Sequence, residues 1–336
     1  MLRSDPTERA ADATRDALSR RRFLARLGLL AGAGALAPLV TRARAARGGS
    51  LQASRAALGT WMRVVIHDAD PARARRAIEA AFAAVSRVDA EMSVHRADSQ
   101  LSRVNHAAGR GPVTVDASVR RVVAIALDAT RRSGGAYDIT VLPLMRLYGF
   151  YDSGRNRPPS TAEIDAVLAR MGAREVQVDE TGGTVALARE GAGLDLGSIG
   201  KGWAVDRAVD AIRAQGVRSA LVDLGGNVYG LGSPDDGAGW TVGVFHPVTG
   251  ALEHTFVLRD AAVATSGNSE QTRRLGSHLV GHLFDARRGT PANGHLSASV
   301  MARTGVESDV MSTTAFVLGP DRFRGWPGAL DTRFIG

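Results

Sequence analysis

The chain has 336 residues, of which 44% are hydrophobic, enough for one large or two modest domains with substantial cores. It contains no cysteine, which excludes disulfides, thiolate metal sites and a cysteine nucleophile. The formal net charge is +8, but residues 1–45 hold nine arginines against four acidic residues. Because no basic cluster with interleaved aromatic residues follows, we do not expect nucleic-acid binding.

The first 45 residues have the pattern of an export signal. Twin arginines in residues 19–24 (SRRRFL) precede an apolar run at 27–40, and Ala43 and Ala45 form a small-x-small cleavage pattern. The apolar run is short and rich in glycine and alanine, which favours a cleaved signal over a membrane anchor or an ordinary basic leader. We therefore expect export by the twin-arginine machinery to the periplasm, or attachment to the inner membrane if the signal is retained.

Residues 46–336 form the mature part, whose first third alternates between strands and helices. Hydrophobic periodicity predicts a strand at 57–67, helices at 71–88 and 116–133, and a short helix after the polar turn at 91–98. The N-cap of that short helix is expected at Asp98 or Ser99. A glycine-entered segment at 133–143 could lie against a ligand.

The rest of the chain reads mostly as strands. An exposed segment rich in arginine and proline, at 152–162, is the candidate for an internal boundary. The elements predicted beyond it are helices at 164–171, after 203 and from 308, and strands at 175–178, 184–188, 219–229, 240–245, 262–267, 281–285 and 297–302.

A glycine-rich turn at 193–203 stands immediately before the central helix. Four glycines in ten positions allow the backbone to approach a phosphate, which the N-terminus of the following helix would attract. Asp195 and Ser198 add oxygen atoms suited to a hard cation, and Lys201, the only lysine of the chain, adds a compact positive charge. The turn lacks the Walker A pattern, since Gly202 replaces its hydroxyl residue, so a nucleotide triphosphatase is disfavoured.

A second group of oxygen atoms stands near the C-terminus. Asp309, Ser312 and Thr313 have the i, i+3, i+4 spacing that puts three side chains on one helix face. This arrangement would form half of a Mg²⁺ site, which Asp195 and Ser198 could complete. The alternative is an ordinary helix N-terminus with solvated hydroxyl groups.

Eight sequence motifs follow one another over most of the mature chain. They are G-T at 59–60, M-S-x5-S-x-L-S-x2-N at 92–105, A-Y-D-x-T-V-x-P-L at 136–144, D-L-G-x-I-x-K-G at 195–202, V-D-L-G-G at 222–226, T-S-G at 265–267, H-x2-D at 282–285 and D-x3-T at 309–313. In this order they resemble the motifs of the FAD:protein FMN transferases, the ApbE-like flavin transferases.

The resemblance implies an α+β fold of two closely packed subdomains, with T-fold-like sheets and helices and with the flavin and metal site between them. It implies a Mg²⁺-dependent enzyme that cleaves the FAD pyrophosphate, joins FMN by a phosphoester to a threonine or serine of an acceptor protein, and releases AMP. The acceptor would be a flavoprotein of a membrane redox complex. The alternatives are an FAD pyrophosphatase that passes the phosphoryl group to water, and a flavin-binding protein without catalysis.

The resemblance also assigns roles to individual residues. His282 would be the base for the incoming hydroxyl, the alternative being a structural histidine at a strand end. The metal would be held by Ser198, Asp309, Ser312 and Thr313. The flavin nucleotide would be held by Leu58, His95, Ala136, Tyr137, Asp138, Asp195, Lys201 and Leu283.

Some positions depart from the family pattern. Leu58 replaces the usual methionine and His95 a frequent tyrosine, so we expect flavin affinity to differ. Ala286 replaces a proline in the loop beside the histidine, and Ser312 stands where some members carry a second aspartate.

Overall fold

The structure is a computed structural model that describes residues 44–46, 49–151, 154–234, 237–268 and 271–336. Almost all of the predicted export signal therefore lies outside the described residues. The described residues all fall within one compact unit. The internal boundary expected near 152–162 stays a prediction.

Strands and helices are numbered here in chain order. The strands are β1 (Arg44–Ala46), β2 (Ser50–Ala57), β3 (Thr60–His67), β4 (Val113–Thr114), β5 (Val176–Asp179), β6 (Thr184–Leu187), β7 (Ala220–Leu224), β8 (Asn227–Leu231), β9 (Trp240–Phe245), β10 (Leu252–Leu258), β11 (Ala261–Gly267), β12 (Thr272–Leu275), β13 (His278–Gly281), β14 (Phe284–Asp285), β15 (Thr290–Pro291), β16 (Ser297–Ala302) and β17 (Asp331–Ile335). The α-helices are α1 (Pro71–Met92), α2 (Gln100–His106), α3 (Ala117–Arg132), α4 (Leu142–Leu147), α5 (Thr161–Leu168), α6 (Gly200–Ala214), α7 (Gly305–Leu318) and α8 (Pro320–Phe323).

An eight-stranded antiparallel sheet is the framework of the fold. Its strand order is β1-β2-β3-β7-β8-β11-β16-β17. In β3, Met62, Val64 and Ile66 are buried, whereas Trp61 and Arg63 are exposed. This period of two gives the sheet an apolar face for the helices.

Three long helices cover that face. Helix α1 packs on α6 and on β2 and β3, α6 packs on α7, and α7 packs on β11 and β16. The α6–α7 crossing is close because both helices carry a glycine at the contact. A Cβ atom on Gly202 would lie 2.2 Å from the carbonyl oxygen of Gly305. The crossing therefore holds the start of α6 against the first turns of α7.

The remaining elements lie around this core. The β9–β10 hairpin packs over the other face of the sheet, where Val244 and Phe256 join Val228 and Val263 in a separate apolar cluster. A small β4-β6-β5 sheet adjoins α2 and α3. Within the described ranges, no helix combines the length and the apolar character that a membrane crossing needs. The mixed helix and sheet architecture confirms the expected α+β class.

The structure divides two predicted strands. The segment at 219–229 forms β7 and β8, which the Gly225–Gly226 turn separates. Residues 281–285 do not form one strand, because β13 ends at Gly281 and β14 begins at Phe284. His282 lies in the break between them, where its side chain is not constrained by a strand ladder.

Candidate active site

The turn before α6 is fixed from two sides. Asn105, in α2, pairs with both backbone groups of Leu194: its Nδ2 donates to the carbonyl (2.9 Å) and its Oδ1 accepts from the N–H (2.7 Å). The N–H of Asp195 donates to the carbonyl of Ile139 (2.8 Å). The Asp195 carboxylate then accepts from the N–H of Gly197 (2.8 Å), which closes the turn. These contacts place the glycine-rich segment independently of any ligand.

Asp195 also contacts a pair of aromatic side chains. Its second carboxylate oxygen accepts a hydrogen bond from the Tyr151 hydroxyl (2.5 Å). The Tyr151 ring lies against the ring of His95, with 5.2 Å between the centroids. Burial and the Asp195 charge raise the pKa of Tyr151, so this hydroxyl stays a donor. The structure thus brings together two predicted flavin ligands, His95 and Asp195, through a residue that the sequence analysis did not single out.

Lys201 lies in the first turn of α6. Its Nζ donates to the Gly197 carbonyl (3.2 Å). The N-cap of the helix, Ile199, makes no side-chain cap hydrogen bond. The positive end of α6 and the Lys201 ammonium therefore stand together at this turn, an arrangement that suits an anion such as phosphate.

Asp309 is a second buried carboxylate of the site, with 3% of its surface exposed. Its Oδ2 accepts from the backbone N–H of Gly202 (2.8 Å). Burial raises the pKa of Asp309, whereas the charge of Lys201, the Gly202 N–H and the side chain of Asn227 lower it. The carboxylate of α7 is thereby tied to the start of α6.

Three hydroxyl groups form a buried cluster about one helix turn from Asp309. The Oγ of Ser266, at the end of β11, is 2.9 Å from the Oγ of Ser312 and 3.1 Å from the Oγ1 of Thr313. Ser312 donates to the carbonyl of Asp309 (2.9 Å). All of these side chains are buried. Oxygen atoms alone in a buried cluster suit a hard cation.

The helix that carries them differs from the sequence expectation. It begins at Gly305 rather than at Ser308, because Thr304 is the N-cap and forms a capping box with Glu307. Asp309 therefore lies inside the helix and is buried. This excludes the alternative of an ordinary helix N-terminus with solvated hydroxyl groups.

Tyr137 contacts Ser198 of the glycine-rich turn and lies near Asp309 of α7. Its hydroxyl accepts from the Oγ of Ser198 (3.1 Å), and the ring is almost fully buried, as is Ala136 beside it. Burial raises the pKa of Tyr137, and the charges of Asp309, Asp138 and Asp195 raise it further. The hydroxyl therefore lies within reach of the predicted metal ligands and of the glycine-rich turn.

Asp138 has a local structural role. One carboxylate oxygen accepts from the N–H (2.8 Å) and from the hydroxyl (2.7 Å) of Thr140, which caps the 3-10 helix Ile139–Val141. Burial raises the pKa of this carboxyl group. Flavin binding by Asp138 stays a prediction.

His282 lies close enough to the glycine-rich turn for the charges of Lys201 and Asp195 to change its pKa. Burial lowers the pKa of the imidazole; the charge of Lys201 lowers it further, and that of Asp195 raises it. The Nδ1 atom is 3.3 Å from the carbonyl oxygen of Gln271, which can only accept a hydrogen bond. Nδ1 therefore carries the proton, and Nε2 is left as the basic atom.

The two predicted leucine ligands lie in different apolar clusters. Leu58 is at the tip of the β2–β3 hairpin, has a positive φ of 49°, and packs on the main core. Leu283 belongs to the cluster under α7. The structure does not bring these two side chains together in one apolar wall, and their contact with flavin stays a prediction.

Four residues of the site were given no role by the sequence analysis. Asn105 and Ser266 stand inside recognised motifs, and Asn227 follows a double glycine, so each had a sequence signal. Tyr151 had none, because it only precedes the segment interpreted as a connection.

A model of the ApbE family matches residues 58–331. The chain belongs to the ApbE family. The match includes every ApbE-type site residue predicted above. One relative, an FAD:protein FMN transferase of Klebsiella pneumoniae (strain 342), is 34% identical over 268 residues, covering 79% of this chain and 81% of the relative. Another, an FAD:protein FMN transferase of Treponema pallidum (strain Nichols), is 32% identical over 300 residues, covering 83% and 82%.

Solved ApbE structures have the same fold. The ApbE protein of Thermotoga maritima superposes with a TM-score of 0.76 at 28% identity, covering 85% of this chain and 94% of that one. The apo form of the flavinyl transferase ApbE of Pseudomonas stutzeri gives a TM-score of 0.74 at 28% identity, covering 84% and 90%.

Proposed function

We propose that the protein is a Mg²⁺-dependent FAD:protein FMN transferase. It cleaves the FAD pyrophosphate, joins FMN by a phosphoester to a threonine or serine of an acceptor protein, and releases AMP. One observation carries the proposal: the buried carboxylate of Asp309 is hydrogen-bonded to the N–H of Gly202, beside Lys201 at the start of α6. The proposed metal ligand and the proposed phosphate-binding helix terminus are thus side by side. The names of the relatives support the same reaction.

The donor set fits Mg²⁺. In the described ranges, no three His, Asp or Glu side chains form a cluster that could hold a metal ion without other ligands, so Asp309 would be the main charged protein ligand. Mg²⁺ commonly binds through one or two carboxylates and takes further ligands from water and substrate phosphates. The residues that would hold it are Ser198, Asp309, Ser312 and Thr313. When bound, the cation would neutralise charge on the pyrophosphate.

The substrate would lie across the glycine-rich turn. The N-terminus of α6 and Lys201 would bind the pyrophosphate, because both present positive charge to it. Tyr151 and Asn105 would position Asp195 and the turn. The flavin nucleotide would contact Leu58, His95, Ala136, Tyr137, Asp138, Asp195 and Leu283.

His282 would accept the proton of the incoming hydroxyl. Its lowered pKa keeps Nε2 unprotonated at neutral pH. The hydroxyl oxygen attacks the phosphorus on the FMN side, the bond from that phosphorus to the bridging oxygen breaks, and AMP departs with that oxygen. A general base of this kind contributes about 10²- to 10⁴-fold to the rate.

The cellular setting belongs to the same proposal. The twin-arginine pattern of residues 19–24 supports export to the periplasm. An acceptor in a membrane redox complex would be reached there.

Nucleotide chromatography tests the reaction class. Purified full-length protein is incubated with FAD and Mg²⁺, with and without an acceptor domain that carries a threonine target. A transferase releases AMP only with the acceptor, in an amount equal to the FMN incorporated. Free FMN and AMP without an acceptor would instead indicate an FAD pyrophosphatase. Bound but unchanged FAD would indicate a flavin-binding protein.

A further inference from the structure

Asn227 is buried beside the proposed metal site but has no role in the reaction described so far. It is the first residue of β8, directly after the Gly225–Gly226 turn, and 2% of its surface is exposed. In the sheet it lies opposite Ala264 of β11, two residues before Ser266. Side chains two residues apart on a strand share a face, so Asn227 and Ser266 both face α7.

The side-chain amide of Asn227 faces the Asp309 carboxylate closely enough to lower its pKa. The backbone N–H of Gly202 donates to the same carboxylate, at 2.8 Å. One polar group comes from the sheet and the other from α6, so the carboxylate lies between two elements. Hydrogen bonds of this kind orient metal-binding carboxylates, and their loss typically lowers metal affinity by about 10- to 100-fold.

The other half of the amide has no partner in the described part of the chain. Oδ1 of Asn227 is buried and accepts no hydrogen bond there. A buried acceptor without a partner costs about 1–3 kcal/mol, which an apolar side chain would avoid. Since the other residues of β8 are buried and mostly apolar, an amide here needs a functional reason. Oδ1 can be satisfied only by a donor or a cation, and hydrated Mg²⁺ supplies both.

We infer that Asn227 is a positioning residue of the metal site, which holds Asp309 through Nδ2 in the orientation that binds the cation. The inference rests on the proposed function only in requiring that a divalent cation binds at Asp309. It adds a residue of the sheet to a site otherwise built from α7 and the turn before α6.

The test is equilibrium binding of Mn²⁺ to the full chain, followed by electron paramagnetic resonance with FAD present and no acceptor. Asn227→Leu is expected to weaken Mn²⁺ binding by about 10- to 100-fold. Its melting temperature without cation is the folding control, because the substitution removes both the unpaired acceptor and the polar group that faces Asp309. Asn227→Ser keeps a hydroxyl donor, and its affinity should lie between those of the wild type and the leucine variant. If Asn227→Leu does not fold, a several-fold loss in the serine variant decides in favour.

Asn268 provides a matched control. Its side chain is partly buried, and its Nδ2 donates to the backbone carbonyl of Ala292 (2.7 Å). Like that of Asn227, its Oδ1 is buried and has no partner in the described ranges. Asn268→Leu should leave Mn²⁺ affinity within about twofold, since it is not bonded to the site carboxylate. Equal affinity losses in both leucine variants would overturn the inference.

Asp309→Ala distinguishes an error in the proposed metal site from an error in the role of Asn227. If it binds Mn²⁺ like the wild type, the proposed metal site is wrong and the inference falls with it. If it loses Mn²⁺ while Asn227→Leu keeps wild-type affinity, the metal site stands and only the role of Asn227 is refuted.

Discussion

At the scale of single residues, two groups carry the proposed chemistry and their environments differ. His282 is in contact with a backbone carbonyl and near opposite charges, and its pKa is lowered mainly by burial. Asp309 is buried inside a helix, and its pKa is raised by burial and lowered by Lys201. One group is held neutral for proton transfer, and the other needs a positive partner to stay ionised.

The lowered pKa of His282 predicts the acid limb of the pH profile. The unprotonated imidazole is the active form, so transfer should be constant at neutral pH and decline only below the ordinary histidine pKa. His282→Ala should retain FAD and transfer FMN about 10²- to 10⁴-fold more slowly, without that acid limb. Single-turnover labelling from pH 5 to pH 8 measures both. A variant that fails to fold would support the structural alternative instead.

Removing the Asp309 carboxylate should abolish the response to the cation. We expect Asp309→Asn, which keeps the shape of the side chain, to lower Mg²⁺-dependent turnover by about 100-fold or more. Turnover against Mg²⁺ concentration, with thermal melting as the folding control, measures this. Unchanged turnover in a folded variant would place the cation elsewhere.

At the scale of elements, the α6–α7 crossing sets the geometry of the site. Its closeness depends on Gly202 and Gly305, whose backbones are in contact. Asp206 of α6 strengthens the junction by accepting from the N–H groups of Gly305 (2.6 Å) and Val306 (3.0 Å) at the start of α7. The two helices therefore carry their site residues as one unit.

A methyl group at the crossing should separate the helices. In Gly202→Ala the new Cβ would lie 2.2 Å from the Gly305 carbonyl oxygen and 2.7 Å from Cβ of Asp309. The carbonyl oxygen belongs to the backbone of α7, so it cannot move aside as the end of a flexible side chain could. We expect a loss of about 1–3 kcal/mol or more in the free energy of unfolding, with weaker cation binding. Gly200→Ala is the control, because nothing lies within 4 Å of its Cβ position. Equal melting temperatures for the two variants would contradict the crossing described here.

Asp206 should make stability depend on pH. Burial raises its pKa to about 6 from an ordinary value of 3.8, despite the two N–H donors. Between these values the folded state binds more protons than the unfolded state, so the contribution of Asp206 to stability falls as pH rises through this window. The change amounts to at most about 3 kcal/mol.

Asp206→Asn removes that dependence. The melting temperature of the wild type minus that of the variant should fall from pH 4 to pH 6 and stay constant above about pH 7. Parallel curves over the whole range would show that Asp206 does not titrate there.

At the scale of the whole molecule, local patterns predicted the elements better than their arrangement. Helices expected at 71–88 and 116–133 are confirmed as Pro71–Met92 and Ala117–Arg132, because amphipathic periodicity is a local property. Ser99 caps α2 by accepting from Ser102 (3.0 Å), one of the two caps expected. The order of the sheet was not predictable, since pairs such as Met62 and Leu224 meet only through tertiary packing.

The candidate site shows the same contrast between local sequence patterns and tertiary packing. Its motif residues could be named from their order along the chain, but the hydrogen bond between Gly202 and Asp309 depends on the helix crossing. Tyr151 was recognised only through its hydrogen bond to the carboxylate of Asp195. The predicted extent of the strand near His282 was wrong, because a strand as short as β14 has too few residues to show an alternating pattern.

The intact mass of an acceptor protein shows whether the enzyme transfers FMN. A small domain with a threonine target is incubated with the full chain, FAD and Mg²⁺; EDTA and a threonine-to-alanine acceptor serve as controls. We expect a gain equal to the mass of one FMN, which both controls abolish. An unmodified acceptor in a reaction that has converted FAD to free FMN and AMP would contradict it.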